Sequence, residues 1–158
     1  MKNLIIREAT DDDFEKIAGI FAEELDHHIT LLPERFQLAD PIITSAWYHN
    51  LINNPGKLLF VADLGGNVVG LLLLELKSSP DDPIFKPRVY ASVEEVAVCE
   101  RFRRQGIGRR LMDHALEWAI QLEADEIELE VWEGNLGAIA LYQMLGYEVV
   151  RRKMRIIL

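Results

Sequence analysis

The chain has 158 residues, a formal net charge of −9, one cysteine and 49% hydrophobic residues. That length suits one domain with a packed core. A single cysteine excludes an intrachain disulfide and multi-cysteine metal sites, and the acidity argues against nonspecific nucleic-acid binding. No apolar run approaches the roughly 18–20 residues that span a bilayer. The N-terminus is charged too early for a signal peptide, so a soluble cytoplasmic protein with no membrane partner is expected.

Residues 3–8 read as a first strand. Thr10 to Asp13 then form a capping box at a helix start, where aspartates suit the positive end of the helix dipole. Phe14, Ile17, Ala18, Phe21 and Leu25 recur at helical spacing, predicting a helix to about His27. A second helix is predicted over 39–52, ended by Asn53-Asn54-Pro55-Gly56. Strands follow at 57–63 and 67–77, and Gly65-Gly66 supply the positive φ that a tight hairpin needs. Residues 78–87 form a polar loop with three prolines. Val89–Cys99 reads as a strand, Gln105–Leu122 as a helix with one apolar stripe, and Glu126–Trp132 as a strand. Asn135–Leu145 is a helix with Gly146 just past its end, and 147–158 supplies one or two further strands. The order, β-α-α-β-β-β-α-β-α-β, predicts an α/β fold: a mixed sheet with helices on both faces.

The charge is uneven. Residues 1–50 carry ten Asp or Glu against four Lys or Arg, whereas 101–110 hold Arg101, Arg103, Arg104, Arg109 and Arg110. Within Val93–Leu111 a strand leads to Gly106-Ile107-Gly108 and then to a helix. The unpaired amides and dipole of a helix start favour an anion such as phosphate, which glycines admit closely and arginines bind by charge-assisted hydrogen bonds. The segment is neither a Walker A loop nor a dinucleotide fingerprint, since Gly-Lys-Ser/Thr is missing and position 111 is Leu.

Arg103-Arg104-Gln105-Gly106-Ile107-Gly108 resembles the Arg/Gln-x-x-Gly-x-Gly/Ala signature of the GNAT superfamily of N-acetyltransferases. Asn135 to Tyr147, with Ala138 and Tyr142, is similar to a second pattern of that family, Asn-x-x-Ala-x-x-x-Tyr-x-x-x-Gly-Phe/Tyr. The resemblance implies a GNAT fold, with a mixed, mostly antiparallel sheet of six or seven strands and a splay between the fourth and fifth. It implies acetyl-CoA as the acyl donor, with coenzyme A bound by Val96, Ala97, Val98, Arg103, Arg104, Gln105, Gly106, Ile107, Gly108, Arg109, Asn135, Ala138 and Tyr142. The backbone near Val96 becomes the oxyanion donor. Tyr142 becomes the acid that protonates the leaving thiolate.

The base is open between Glu94, Glu95 and a water chain. Strand alternation predicts Glu94 on the face of Val96 and Val98, and Glu95 on that of Ala97. The implied reaction is direct acetyl transfer to a primary amine, and a non-catalytic acyl-CoA sensor is the rival. Cys99 reads as inert packing. His27, His28, His49 and His114 lack metal-ligand spacing, so no metal is expected. Trp47, Tyr48, Phe21 and Asp26 are read as core rather than acceptor pocket. The family leaves a homodimer open.

Overall fold

The computed structural model describes residues 3–158, so the reading of the first two residues lies outside it. Five strands form one sheet in the order β1-β2-β3-β4-β5: β1 Leu4–Glu8, β2 Lys57–Leu64, β3 Val68–Ser78, β4 Val89–Val98 and β5 Glu126–Leu129. The first four pair antiparallel and β4–β5 is parallel. Four helices cover the sheet: α1 Phe14–Leu31, α2 Ser45–Ile52, α3 Ile107–Gln121 and α4 Leu136–Met144.

The two faces have separate cores. One joins Phe60, Leu72, Leu74 and Val93 to Ile107, Leu111 and Met112 of α3 and Tyr142 of α4. The other joins Val61, Leu71, Leu73 and Ala97 to Ile17 and Ile20 of α1 and Tyr48 and Leu51 of α2. Helices on both faces are therefore as expected. The nearly all-apolar run of β3 follows from burial on both sides.

An ion-pair knot fixes the N-terminal corner. Arg7 Nη1 and Nη2 donate to the Asp13 carboxylate at 2.7 and 2.9 Å, and Nε donates to Asp63 at 3.0 Å. Asp13 also accepts the Thr10 N–H at 2.8 Å, as the capping box requires. Hydrogen bonds from Arg7 hold the Asp13 carboxyl below the usual range, against the effect of its burial. Asp63 in turn accepts the Gly66 N–H, closing the β2–β3 hairpin through Gly65 and Gly66 at φ +63 and +88.

Three expectations need correction. The second helix starts at Ser45 and not Ala39; Thr44 is its cap, accepting the Trp47 N–H at 3.1 Å, and Pro41 lies in irregular chain before it. α1 runs one turn beyond His27, to Leu31. Residues 147–158 form no strand, so the sheet has five strands among the described residues, not six or seven. The tail is exposed, tied by Arg151 to Glu130 and by Arg155 to Glu34. Its apolar residues meet no partner edge, and a strand needs one.

β3 and β4 approach closely at Gly70. A Cβ there would lie 2.8 Å from the Ala97 carbonyl oxygen and 3.3 Å from Leu111 Cδ1. Gly70→Ala is expected to destabilise the fold by about 1–3 kcal/mol, read as a lower denaturation midpoint with an unchanged slope.

Candidate active site

The site begins where β4 and β5 part. Their parallel pairing runs from Tyr90–Glu126 to Val93–Leu129 and stops, while β4 continues through residues 94–98 against β3 alone. The paired end is clamped. Asp125 exchanges bonds with Val89 at 2.8 Å through both its backbone N–H and its carboxylate, and Arg88 pairs with Glu126 and Glu128. The other end opens on to the tips of α3 and α4.

A bulge sits at the opening. Leu73 faces Glu95 and Leu74 faces Val93, so Glu94 is the extra residue. It shifts the alternation of β4, so that Val93, Val96 and Val98 pack on the α3 core and Ala97 on the α1 core. The expectation that Glu94 shares a face with Val96 and Val98 is thereby overturned. Glu94 turns instead to Ser92 Oγ, at 2.6 Å, and to Lys77 Nζ. Burial raises its pKa, but the bonds from Lys77 and Ser92 outweigh this and hold it low.

The same shift sets the backbone. Cys99 N–H donates to the Val69 carbonyl at 2.9 Å, so residues of its parity turn to β3. Val96 and Val98 therefore direct their N–H and C=O groups into the opening. Val96 N–H donates to Glu95 Oε1 at 3.2 Å, and the Val98 carbonyl accepts Arg103 Nε at 3.0 Å.

After β4 a single 3-10 turn leads through Arg104, at φ +61, and Gly106, at φ +82, into α3. The left-handed Gly106 is the N-cap, and the first helical bond is Arg110 N–H to Gly106 O at 3.1 Å. The amides of Ile107, Gly108 and Arg109 thus lie ahead of the ladder at the positive end of the dipole. The Ile107 side chain is buried in the core, so only its backbone can serve a ligand. A Cβ on Gly108 would meet Leu141 Cδ2 of α4 at 3.4 Å. Gln105 donates to the Arg101 carbonyl, and Arg109 Nε lies 3.8 Å from Asp113.

The arginine segment divides. Arg103 turns toward the opening, while Arg110 donates to the Leu4 carbonyl on β1 and Arg101 stacks on Phe102. Only part of the dense positive charge borders the loop. An extended backbone edge, free helix amides and Arg103 together fit a ligand with a hydrogen-bonding arm and an anionic diphosphate.

Across the opening, α4 brings Tyr142. Asn135 caps that helix, its Oδ1 accepting the Ala138 N–H at 3.1 Å. Burial, with a smaller effect of Glu95, pushes the Tyr142 phenol up to about 12. Opposite stands Glu24 of α1, which the sequence reading passed over. It lies in hydrogen-bonding contact with Glu95, and its carboxyl is pushed up by burial first and by Glu95 second, with Arg103 opposing. The signal was its position: Ile17, Ile20, Phe21, Glu24 and His28 share one stripe of α1.

His28 stacks on Phe36 at 4.9 Å, and Phe36 meets Trp132 edge-on at 5.6 Å, forming an aromatic wall beside the acid pair. Burial pushes the His28 imidazole down, keeping it neutral. Tyr48, by contrast, is core, donating its hydroxyl to the Thr10 carbonyl at 2.7 Å. Phe21 and Trp47 pack against each other edge-on.

The chain belongs to the acetyltransferase (GNAT) family, whose model matches residues 17–147, and it is an N-acetyltransferase. The family implies use of acetyl-CoA and an amine substrate. The chain is 29% identical to L-amino acid N-acetyltransferase AaaT of Escherichia coli over 94% of its own length and 85% of that protein's. It is 30% identical to N-alpha-acetyltransferase 30 of Dictyostelium discoideum over 68% of its length, spanning about half (55%) of that relative. A mutant form of the BH1408 protein from Bacillus halodurans has the same fold, with a TM-score of 0.93 and 24% identity over 98% of this chain and 99% of that one. Among the described residues no helix is long and apolar enough to cross a membrane.

Cys99 is buried beside the site, and burial pushes its thiol up. It is expected to react with a disulfide reagent at least about tenfold more slowly in the native protein than in denaturant, followed by thiolate absorbance.

Proposed function

We propose that the chain acts as one acetyltransferase domain that acetylates the α-amino group of a free amino acid or of a peptide N-terminus. The observation that carries the reading is the β4–β5 opening, where the outward edge of Val96 and Val98, the start of α3, Glu95 and Tyr142 converge. The α-amino acceptor rests on the names of the two relatives, one acting on L-amino acids and one an N-alpha-acetyltransferase.

When bound, acetyl-CoA supplies an activated acyl group and a thiol leaving group. The chain supplies the rest. Residues 103–109 bind the diphosphate through the amides of Ile107, Gly108 and Arg109 and the charges of Arg103, Arg104 and Arg109. Ala97 is buried beneath this edge, which runs on into Gln105 and the loop, while Asn135 and Ala138 place α4 and Tyr142.

An ammonium cannot attack a carbonyl until it loses a proton. Glu95 takes that proton, being half-buried at the opening, whereas Glu94 is engaged by Lys77 and Ser92. As Glu95 turns to the ammonium it releases the Val96 N–H, which then donates to the acyl oxygen. Tyr142, neutral at working pH, donates its proton to the departing sulfur.

Thiol release from acetyl-CoA across a panel of L-amino acids, short peptides with free N-termini, polyamines and aminoglycosides tests the acceptor. Release with α-amino compounds is expected. Release confined to polyamines or aminoglycosides would overturn that part, and coenzyme A binding without release from any amine would favour a sensor. Glu95→Gln is expected to lower kcat about 100-fold, and Tyr142→Phe about tenfold with little change in KM for acetyl-CoA.

Gly106→Asp, which forces a side chain into a left-handed backbone and adds negative charge, is expected to weaken coenzyme A binding more than about tenfold by calorimetry.

A further inference from the structure

Glu24 is hard to justify as a structural residue. It sits mid-helix on the buried stripe of α1, and no protein donor reaches its Oε2, the one such atom found among the described residues. A leucine of similar size would pack there without an orphan oxygen. Its neighbour across the opening is Glu95, from β4. Two carboxylates in contact and partly withdrawn from water do not both stay ionised; they share a proton. The shared proton gives Glu24 a hydrogen-bond role and gives Glu95 a fixed partner. Glu95 otherwise holds only the adjacent Val96 amide at 3.2 Å, a contact that it must break to meet an ammonium.

We propose that Glu24 is a positioning residue for acetyl transfer: as the protonated member of a Glu24–Glu95 pair, it donates to Glu95 and holds that carboxylate at the β4–β5 opening, facing the acceptor amine. The inference rests on the reading of Glu95 as base. Glu24 itself stays behind Glu95 and transfers nothing to substrate. One ammonium proton goes to Glu95, the amine nitrogen forms the new C–N bond and the C–S bond breaks; the sulfur takes its proton from Tyr142, and the second nitrogen proton, lost as the amide forms, restores the phenol.

The other groups facing the pair are His28 on α1, Arg103 after β4 and Tyr142 on α4. His28 is kept neutral by burial, and the Arg103 charge favours an ionised Glu24 without overcoming burial and Glu95.

Two measurements test the inference. The first compares E24L, E24Q, E95Q and E24L/E95Q by steady-state thiol release from acetyl-CoA, with the amine that gives most release in the panel. E24L is expected to lower kcat about tenfold with KM for acetyl-CoA unchanged. E24Q, whose amide N–H donates where the shared proton did, is expected to recover most of that loss. The double variant is expected to be no slower than E95Q alone. If E95Q loses kcat and E24L does not, the positioning role is wrong and the base reading stands. If E95Q also keeps its kcat, the base reading fails and this inference fails with it.

The second needs no acceptor. A carboxyl raised from 4.5 to about 9 binds more protons folded than unfolded in that interval, so it lowers stability as pH rises through it. The wild-type melting temperature is expected to fall more steeply with pH between about 5 and 9 than that of E24Q or E24L, and E24L is expected to melt higher than wild type at pH 8. A lower melting temperature for E24L, or identical pH slopes, would overturn the shared proton.

Discussion

The structure depends on one unequal bargain in hydrogen bonding: β4 is paired with β3 from Val89 to Val98 on one side and with β5 only from Tyr90 to Val93 on the other. Arg88 and Asp125 hold the shared end closed. The bulge at Glu94 turns the strand just where β5 leaves it. A strand edge left without a partner is usually a hazard. Here the edge is short, spanning residues 94–98, and the chain turns from it into the start of α3. The backbone groups of Val96 and Val98 therefore remain available to a ligand, with the α3 start at one end of the edge and Glu95 at the other.

Charge follows the same geometry. The net −9 sums two unlike regions, and neither is uniform. The dense arginine segment is spread by its turns, so that Arg103 meets the Val98 carbonyl while Arg110 and Arg101 serve β1 and Phe102. Most acidic side chains of the first 50 residues are exposed, but Asp13 and Glu24 are not, and they behave in opposite ways. Asp13 is buried against a bidentate Arg7, and the attraction outweighs desolvation. Glu24 is half-buried against another carboxylate, and desolvation prevails. Burial alone does not decide the charge state; the partner does.

The parts legible in the sequence are those governed by local physics. The capping box at Thr10, the Gly65-Gly66 hairpin, the apolar stripe of α3, the Asn135 cap and the positive φ of Gly146 each depend on a few neighbouring residues. So does the Gly106 start of α3. What escaped depends on distant partners. The chain before Ser45 is apolar enough to suggest helix, but Thr44 is the residue that caps it. The tail after Tyr147 carries apolar residues among its charges, yet it pairs with no strand. Such a segment becomes a strand only together with something to pair with.

The misplacement of Glu94 shows the same limit from within a strand. Alternation counted from Glu94 puts it with Val96 and Val98, and that count fails because one residue is extra. The sequence does carry the trace: Ala91 and Val93 are buried at odd positions, whereas the valines that join Val93 on the α3 core stand at even ones, 96 and 98. A change of phase in apolar residues within one strand marks a bulge, and the two glutamates lie across it. Had the strand run regularly, Val96 and Val98 would face α1 and Glu95 would be driven into the α3 core, where no partner waits. The bulge brings Glu95 to Glu24 instead. One inserted residue thus aims the backbone edge and pairs the two carboxyls, so the binding edge and the proton-handling group cannot be moved independently.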